Sequence, residues 1–191
     1  MDKKRNWEEV IEKADFSETK LPNNEYENCQ FKQCTFINAD LSNIKFSDCE
    51  FLDCNLSTTK LHQTSFRDVS FKKCKLLGLH FDDCNALLFS ADFEDCILNL
   101  SIFYKLSLKK KIIKNCSLQE VDFANADLSG STFENCDLMG ATFENTILEK
   151  ADFRTARNFS INPEINKIKK ARFSLEGVVG LLNKYDIEIE Y

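Results

Sequence analysis

At 191 residues the chain is long enough to bury a core of its own, and one domain is the natural reading. Five glycines and two prolines exclude collagen-like, linker-like and disordered classes. A net charge of −6 and nine cysteines are left for the residue spacing to explain.

Met1-Asp2-Lys3-Lys4-Arg5 leads into Asn6-Trp7-Glu8-Glu9 without the apolar core of a secretory signal. No apolar run approaches the roughly 18 residues of a membrane span. The expectation is a soluble, cytoplasmic protein that does not contact a membrane. Trp7, Val10, Ile11 and Ala14 fall at helical spacing, which predicts a short amphipathic cap helix within an N-terminal cap, residues 1–13.

From residue 14 to 157 a different clock runs. Large apolar residues recur every fifth position, as in Phe31, Phe36, Leu41, Phe46 and Phe51. Two residues before most of these centres the side chain is small: Cys29, Cys34, Ala39, Cys49. Neither 3.6 nor 2 divides five, so the segment is neither one long helix nor simple alternating strands. An inward pair spaced by two is extended backbone, and a five-residue step then requires a turn in every repeat. After Asn85-Ala86-Leu87 the pattern slips by two and resumes with Leu88 as the next centre. Every fourth centre then forms a column of like residues, such as Phe31, Phe51, Phe71, Phe93, Ile113, Phe133 and Phe153. Four pentads therefore close one coil. About seven coils at the usual strand spacing of about 4.8 Å predict a body of roughly 34 Å, stabilised by stacking of neighbours.

All nine cysteines occupy the small inward position. Six share one column: Cys34, Cys54, Cys74, Cys96, Cys116 and Cys136. Thiols in a tight interior behave as small hydrophobes, whereas zinc needs ligands converging tetrahedrally, which a straight ladder does not provide. His62 and His80 fall at outward positions without a ligand constellation, and no nucleophile, base and orienter assemble. The expectation is a binding protein with no catalytic residues, metal or cofactor.

The repeats Ala39-Asp40-Leu41-Ser42-Asn43, Ala91-Asp92-Phe93-Glu94-Asp95, Ala126-Asp127-Leu128-Ser129-Gly130 and Ala151-Asp152-Phe153-Arg154-Thr155 are similar to the pentapeptide-repeat family, A-[D/N]-[L/F]-x-x. The resemblance implies an all-β solenoid, a right-handed quadrilateral β-helix. It does not fix a function.

Charge is uneven. Residues 15–103 and 115–155 each carry about −6, and residues 104–114 about +5. The acids recur outward, with Asp48, Asp53, Asp68, Asp83, Asp95, Asp122 and Asp127 as candidates for an acidic face. Such a rod either keeps the protein soluble or offers a basic groove the potential of a nucleic-acid duplex. The positive stretch places Leu106 and Lys111 at small inward positions. An unpaired buried lysine is costly, so this coil is expected to loop outward, with Tyr104, Lys105, Lys109, Lys110, Lys111 and Lys114 as partner-binding candidates. Leu87, Phe89, Ile97, Leu100, Ile102 and Tyr104 make the nearby outward positions apolar. They form a docking patch, or they pack beneath the loop.

Residues 158–191 read as a C-terminal cap. Ser174 is placed to N-cap a helix with a stripe of Leu175, Val178, Val179, Leu181 and Leu182. Asp186-Ile187-Glu188-Ile189-Glu190-Tyr191 alternates as a short strand. The cap hides the edge of the β-helix. Leu175, Val178, Val179, Leu182, Ile187 and Ile189 are candidates for a homodimer interface. This ending, notably Leu181-Leu182-Asn183-Lys184-Tyr185-Asp186-Ile187, resembles that of the Qnr family of quinolone-resistance proteins. That resemblance implies tail-to-tail dimers, mimicry of DNA, and protein partners in DNA gyrase and topoisomerase IV without direct nucleic-acid binding. The alternative is a general interaction scaffold with another partner.

Overall fold

The structure, a computed structural model, describes residues 5–190, with side chains from Glu8 onward. It is a parallel β-solenoid. Its strands are three or four residues long: β1 (Arg5–Trp7), β2 (Val10–Glu12), β3 (Glu25–Glu27), β4 (Gln30–Lys32), β5 (Lys45–Ser47) and β6 (Glu50–Leu52). They continue as β7 (Ser65–Arg67), β8 (Val69–Lys72), β9 (Ala91–Glu94), β10 (Ile112–Lys114) and β11 (Thr132–Glu134). One wall stacks β1, β3, β5 and β7; its neighbour stacks β2, β4, β6, β8, β9, β10 and β11. The remaining walls are held by single parallel bridges at the same step, such as Lys20↔Asp40 and Asp40↔Lys60. The number of coils is close to the seven expected.

The register bears out the columns. Phe31 lies opposite Phe51 and Phe51 opposite Phe71. Across the insertion Phe71 lies opposite Phe93, then Phe93 opposite Ile113 and Ile113 opposite Phe133. The Phe31 and Phe51 rings stack with centroids 4.7 Å apart, and those of Phe51 and Phe71 at 5.0 Å. Each buried ring contributes about 1.5–3 kcal/mol by leaving water, and each aromatic pair about 0.5–1.5 kcal/mol more.

The corners explain the three polar positions. At many of them the centre's carbonyl accepts the N–H three residues on, as from Ala39 to Phe36 (2.8 Å) and Ile44 to Leu41 (3.1 Å). The residue between is left-handed: Asn38 at φ 56° and Asn43 at φ 63°. This is the type II turn, whose third residue favours Asn, Asp or Gly. Leu100 (φ 62°) and Thr58 (φ 59°) hold the same conformation without that chemistry.

The small inward residues are more than space-savers. Thr59, Thr64 and Thr146 donate their hydroxyls to the carbonyls of Phe36, Leu41 and Phe123 one coil away, at 2.8–2.9 Å. The thiols of Cys54, Cys74 and Cys136 make the same bond to Phe31, Phe51 and Ile113 at 3.2–3.3 Å. The buried N–H of Cys34 in turn donates to Cys54 Sγ at 3.4 Å, and that of Cys96 to Cys116 Sγ at 3.4 Å. All nine cysteines are free and buried. Burial pushes the Cys49 thiol up to about 12 and raises that of Cys84 as well, so these two thiols stay protonated and inert.

Five expectations need correction. The N-terminal cap helix does not form, because Val10–Glu12 is a strand in register with β4 and Ile11 packs against the core. Ladder bonds to the following coil outweigh the helical spacing of a few apolar residues. The C-terminal helix is reduced to two 3-10 turns, Gly177–Leu181 and Asn183–Tyr185, although Ser174 Oγ does accept the Gly177 N–H (2.9 Å). Residues 186–190 form no strand; Tyr191 lies outside the described residues. After the slip Phe89, not Leu88, enters the core: Phe89 is 9% exposed and Leu88 42%. Finally, residues 104–114 do not loop out. Ser107↔Asp127 and Ile112 opposite Thr132 keep them in register.

Candidate protein-interaction surface

The register at Lys111 is kept by redirecting its side chain. Leu106 stays inside at 2% exposure, while the Lys111 ammonium leaves the small position and meets Asp92 at 3.3 Å. Lys109 pairs with Asp127 (2.9 Å) and Lys114 with Glu94 (3.3 Å). Lys105 lies over the Tyr104 ring at 4.7 Å. Lys105 and Lys110 hold left-handed corners at φ 60° and 58°. The positive stretch is therefore a regular coil, largely neutralised by its neighbours.

The acidic candidates do not share one face. Asp48 and Asp68 stack at the corner after Phe46 and Phe66, and Asp68 accepts the Ser90 hydroxyl (2.8 Å). Asp53 and Asp95 stand at the next corner, accepting from Gln33 (3.4 Å) and Asn115 (2.9 Å). Asp83 closes a 3-10 turn, Phe81–Asp83, in the irregular coil. Asp122 and Asp127 do local work, accepting the N–H groups of Ala124 (2.7 Å) and Ser129 (3.1 Å). Burial opposes the charge of Asp127, but hydrogen bonds from Ser129 and Lys109 outweigh it and hold its carboxyl below the ordinary value. Asp40, in the same repeat position, is drawn down to about 2 by the hydroxyl and N–H of Ser42. The Asp of the repeat is thus a turn-forming residue before it is a surface charge.

Other acids were not singled out by spacing. Glu120, Glu134, Glu144 and Glu149 have no cationic partner within ion-pair distance among the described residues, and neither has the candidate Asp122. They give residues 115–149 the least compensated negative surface of the repeat region. Only the charge count of that segment hinted at them.

Apolar exposure centres on the insertion. Leu87 is 95% exposed, held in a short 3-10 turn by its N–H to Asn85 Oδ1 (3.2 Å). Ile97, Leu100 and Tyr104 are exposed on the following coil, whereas Ile102 is half-buried and Phe89 is inside. At the C-terminus Leu175, Val178, Ile187 and Ile189 are exposed, and Val179 and Leu182 half-buried. The terminal segment is seated by Gly180, where an added Cβ would come within 2.3 Å of Phe159 O. His62 and His80 are exposed, with His80 Nδ1 3.6 Å from Asp82. Among the described residues no three or more His, Cys, Asp or Glu converge as metal ligands, and no helix is long and apolar enough to cross a membrane.

No curated protein matches the chain in sequence. Among solved structures, a trypsin-treated form of QnrB1, a plasmid-mediated fluoroquinolone resistance protein, is 18% identical, with 98% of this chain and 100% of that one covered at a TM-score of 0.45. HetL, a pentapeptide repeat protein involved in heterocyst differentiation regulation from the cyanobacterium Nostoc sp. strain PCC 7120, is 15% identical, with 91% and 87% covered at 0.48. The family model of the pentapeptide repeat region matches residues 24–87 and 86–157, abutting at the insertion. With that match over most of its length, and inward centres on a five-residue clock stacked coil upon coil, the chain belongs to the pentapeptide-repeat proteins.

Proposed function

We propose that the chain is a protein-binding rod that docks on a type II topoisomerase, DNA gyrase or topoisomerase IV, as a mimic of the DNA duplex, and so modulates quinolone sensitivity. The observation that carries this reading is the uncompensated acidic surface of residues 115–149, fixed on a stack of parallel coils. Ordered carboxylates on a rigid body attract a basic groove built for phosphates. The test is gyrase supercoiling with a fluoroquinolone while the protein is titrated. Rescue or inhibition is expected at micromolar protein; neither would end the topoisomerase reading. If a variant with Lys109, Lys110 and Lys111 changed to serine has an unchanged effect, that stretch is not part of the site.

A second reading, an interaction rod for a different protein, is favoured by the exposed Leu87, Ile97, Leu100 and Tyr104, since apolar contact is not what a DNA groove supplies. Binding that persists at high salt supports it; binding that collapses supports the charged face. We further propose a homodimer through the C-terminal segment, where Leu175, Val178, Ile187 and Ile189 lie exposed. Light scattering that gives a monomer at high concentration would overturn it.

A further inference from the structure

The coil containing the insertion opens a groove that the topoisomerase reading does not use. On that wall regular coils bond the Leu41 N–H to Lys60 O (3.0 Å) and the Lys60 N–H to Ala39 O (2.9 Å). One coil further the ladder parts. The Gln63 N–H reaches Asp83 O (2.8 Å), one residue beyond the place that the Asn43 bond to His62 O repeats. The backbone N–H groups of Leu61 and His80 find no acceptor among the described residues. Leu61 is 1% exposed, so its donor is buried, and it lacks the ladder partner that Leu41 has one coil away.

The parted coils enclose about 350 Å³, lined by Thr59, Lys60, Leu61, His62 and His80 among others. Lys60, His62 and His80 therefore line the same groove as the two free backbone donors. Donors in excess are what an oxyanion requires. We propose that this groove binds a small tetrahedral oxyanion, inorganic phosphate or sulfate. The charges facing it include opposing ones. Asp83 is exposed at the rim, and Asp82 lies beside His80, one carboxylate oxygen buried without a hydrogen bond. Burial, opposed by His80 and aided by Asp83, raises the Asp82 carboxyl above its ordinary value, which weakens its competition. Asp40 is tied to Lys20 (3.1 Å), and Asp122 to the Ala124 N–H.

Sulfate is the probe, because it is a tetrahedral dianion around neutrality. The full chain, labelled with nitrogen-15, is titrated with sodium sulfate and, at matched ionic strength, with sodium chloride. Saturable shifts of the Leu61 and His80 amides are expected in sulfate alone. Lys60→Met and His80→Asn, both at exposed side chains, should each raise the midpoint several-fold while leaving the remaining amide spectrum intact. No saturation, or an equal response to chloride, would each overturn the proposal.

Discussion

Replacing Cys54 with alanine tests whether the interior thiols are fillers or hydrogen-bonding parts. Cys54 Sγ donates to Phe31 O (3.2 Å) and accepts the Cys34 N–H (3.4 Å), both across the same coil interface. Among the described residues no other acceptor serves that N–H, and Cys34 is 2% exposed. Alanine therefore strands a buried donor, at about 1–3 kcal/mol, and adds a void the size of a sulfur atom. Serine retains a donor and an acceptor on a shorter arm, as the hydroxyls at Thr59 and Thr146 already do in other columns. The expected order of urea midpoints is wild type, Cys54→Ser, Cys54→Ala, with the alanine variant about 1–3 kcal/mol below wild type. A filler would give the reverse, since burying a hydroxyl costs more than burying a methyl. An alanine variant at or above the serine variant would refute the account.

Gly180→Ala forces a Cβ to within 2.3 Å of Phe159 O, so the terminal segment should leave the last coil; limited proteolysis should cut after Phe173 much faster, with the repeat body intact. Leu100→Asn places a residue tolerant of φ 62° at an exposed corner and should stabilise by about 0.5–1 kcal/mol in thermal unfolding. Asp40 has a folded value of about 2, depressed below its unfolded one, so it stabilises above pH ~4 and loses that effect as pH falls through about 2. The gap in urea midpoint between wild type and Asp40→Asn should accordingly close across that window. Lys111→Ala restores a small residue between Ala91 and Ser131 and loses only an exposed ion pair with Asp92, so stability should change by less than about 1 kcal/mol.

The stack was legible because one inward position repeats without ambiguity: Phe31, Phe51 and Phe71 could lie over one another only if four pentads close a coil. The same pattern could not say how a violation is absorbed. Lys111 suggested an outward loop, yet a lysine stem is long enough to carry its charge to Asp92 while the backbone stays put. Leu88 and Phe89 were both apolar after a slip of two, and spacing cannot decide which turns inward when the turn itself is irregular. At the N-terminus a helical period over three or four residues was outvoted by ladder bonds to a coil twenty residues away. The acidic candidates were chosen by type and period, which do not separate an aspartate that shapes its own turn, such as Asp122, from one free to meet a partner.

The parted ladder at Leu61 and His80 has a mechanical meaning. In a column of coils each layer grips only the ones above and below, so a layer with missing rungs is a fault plane. The blocks on either side should exchange their amides as two bodies joined at a seam. A partner that spans the seam would clamp them into one.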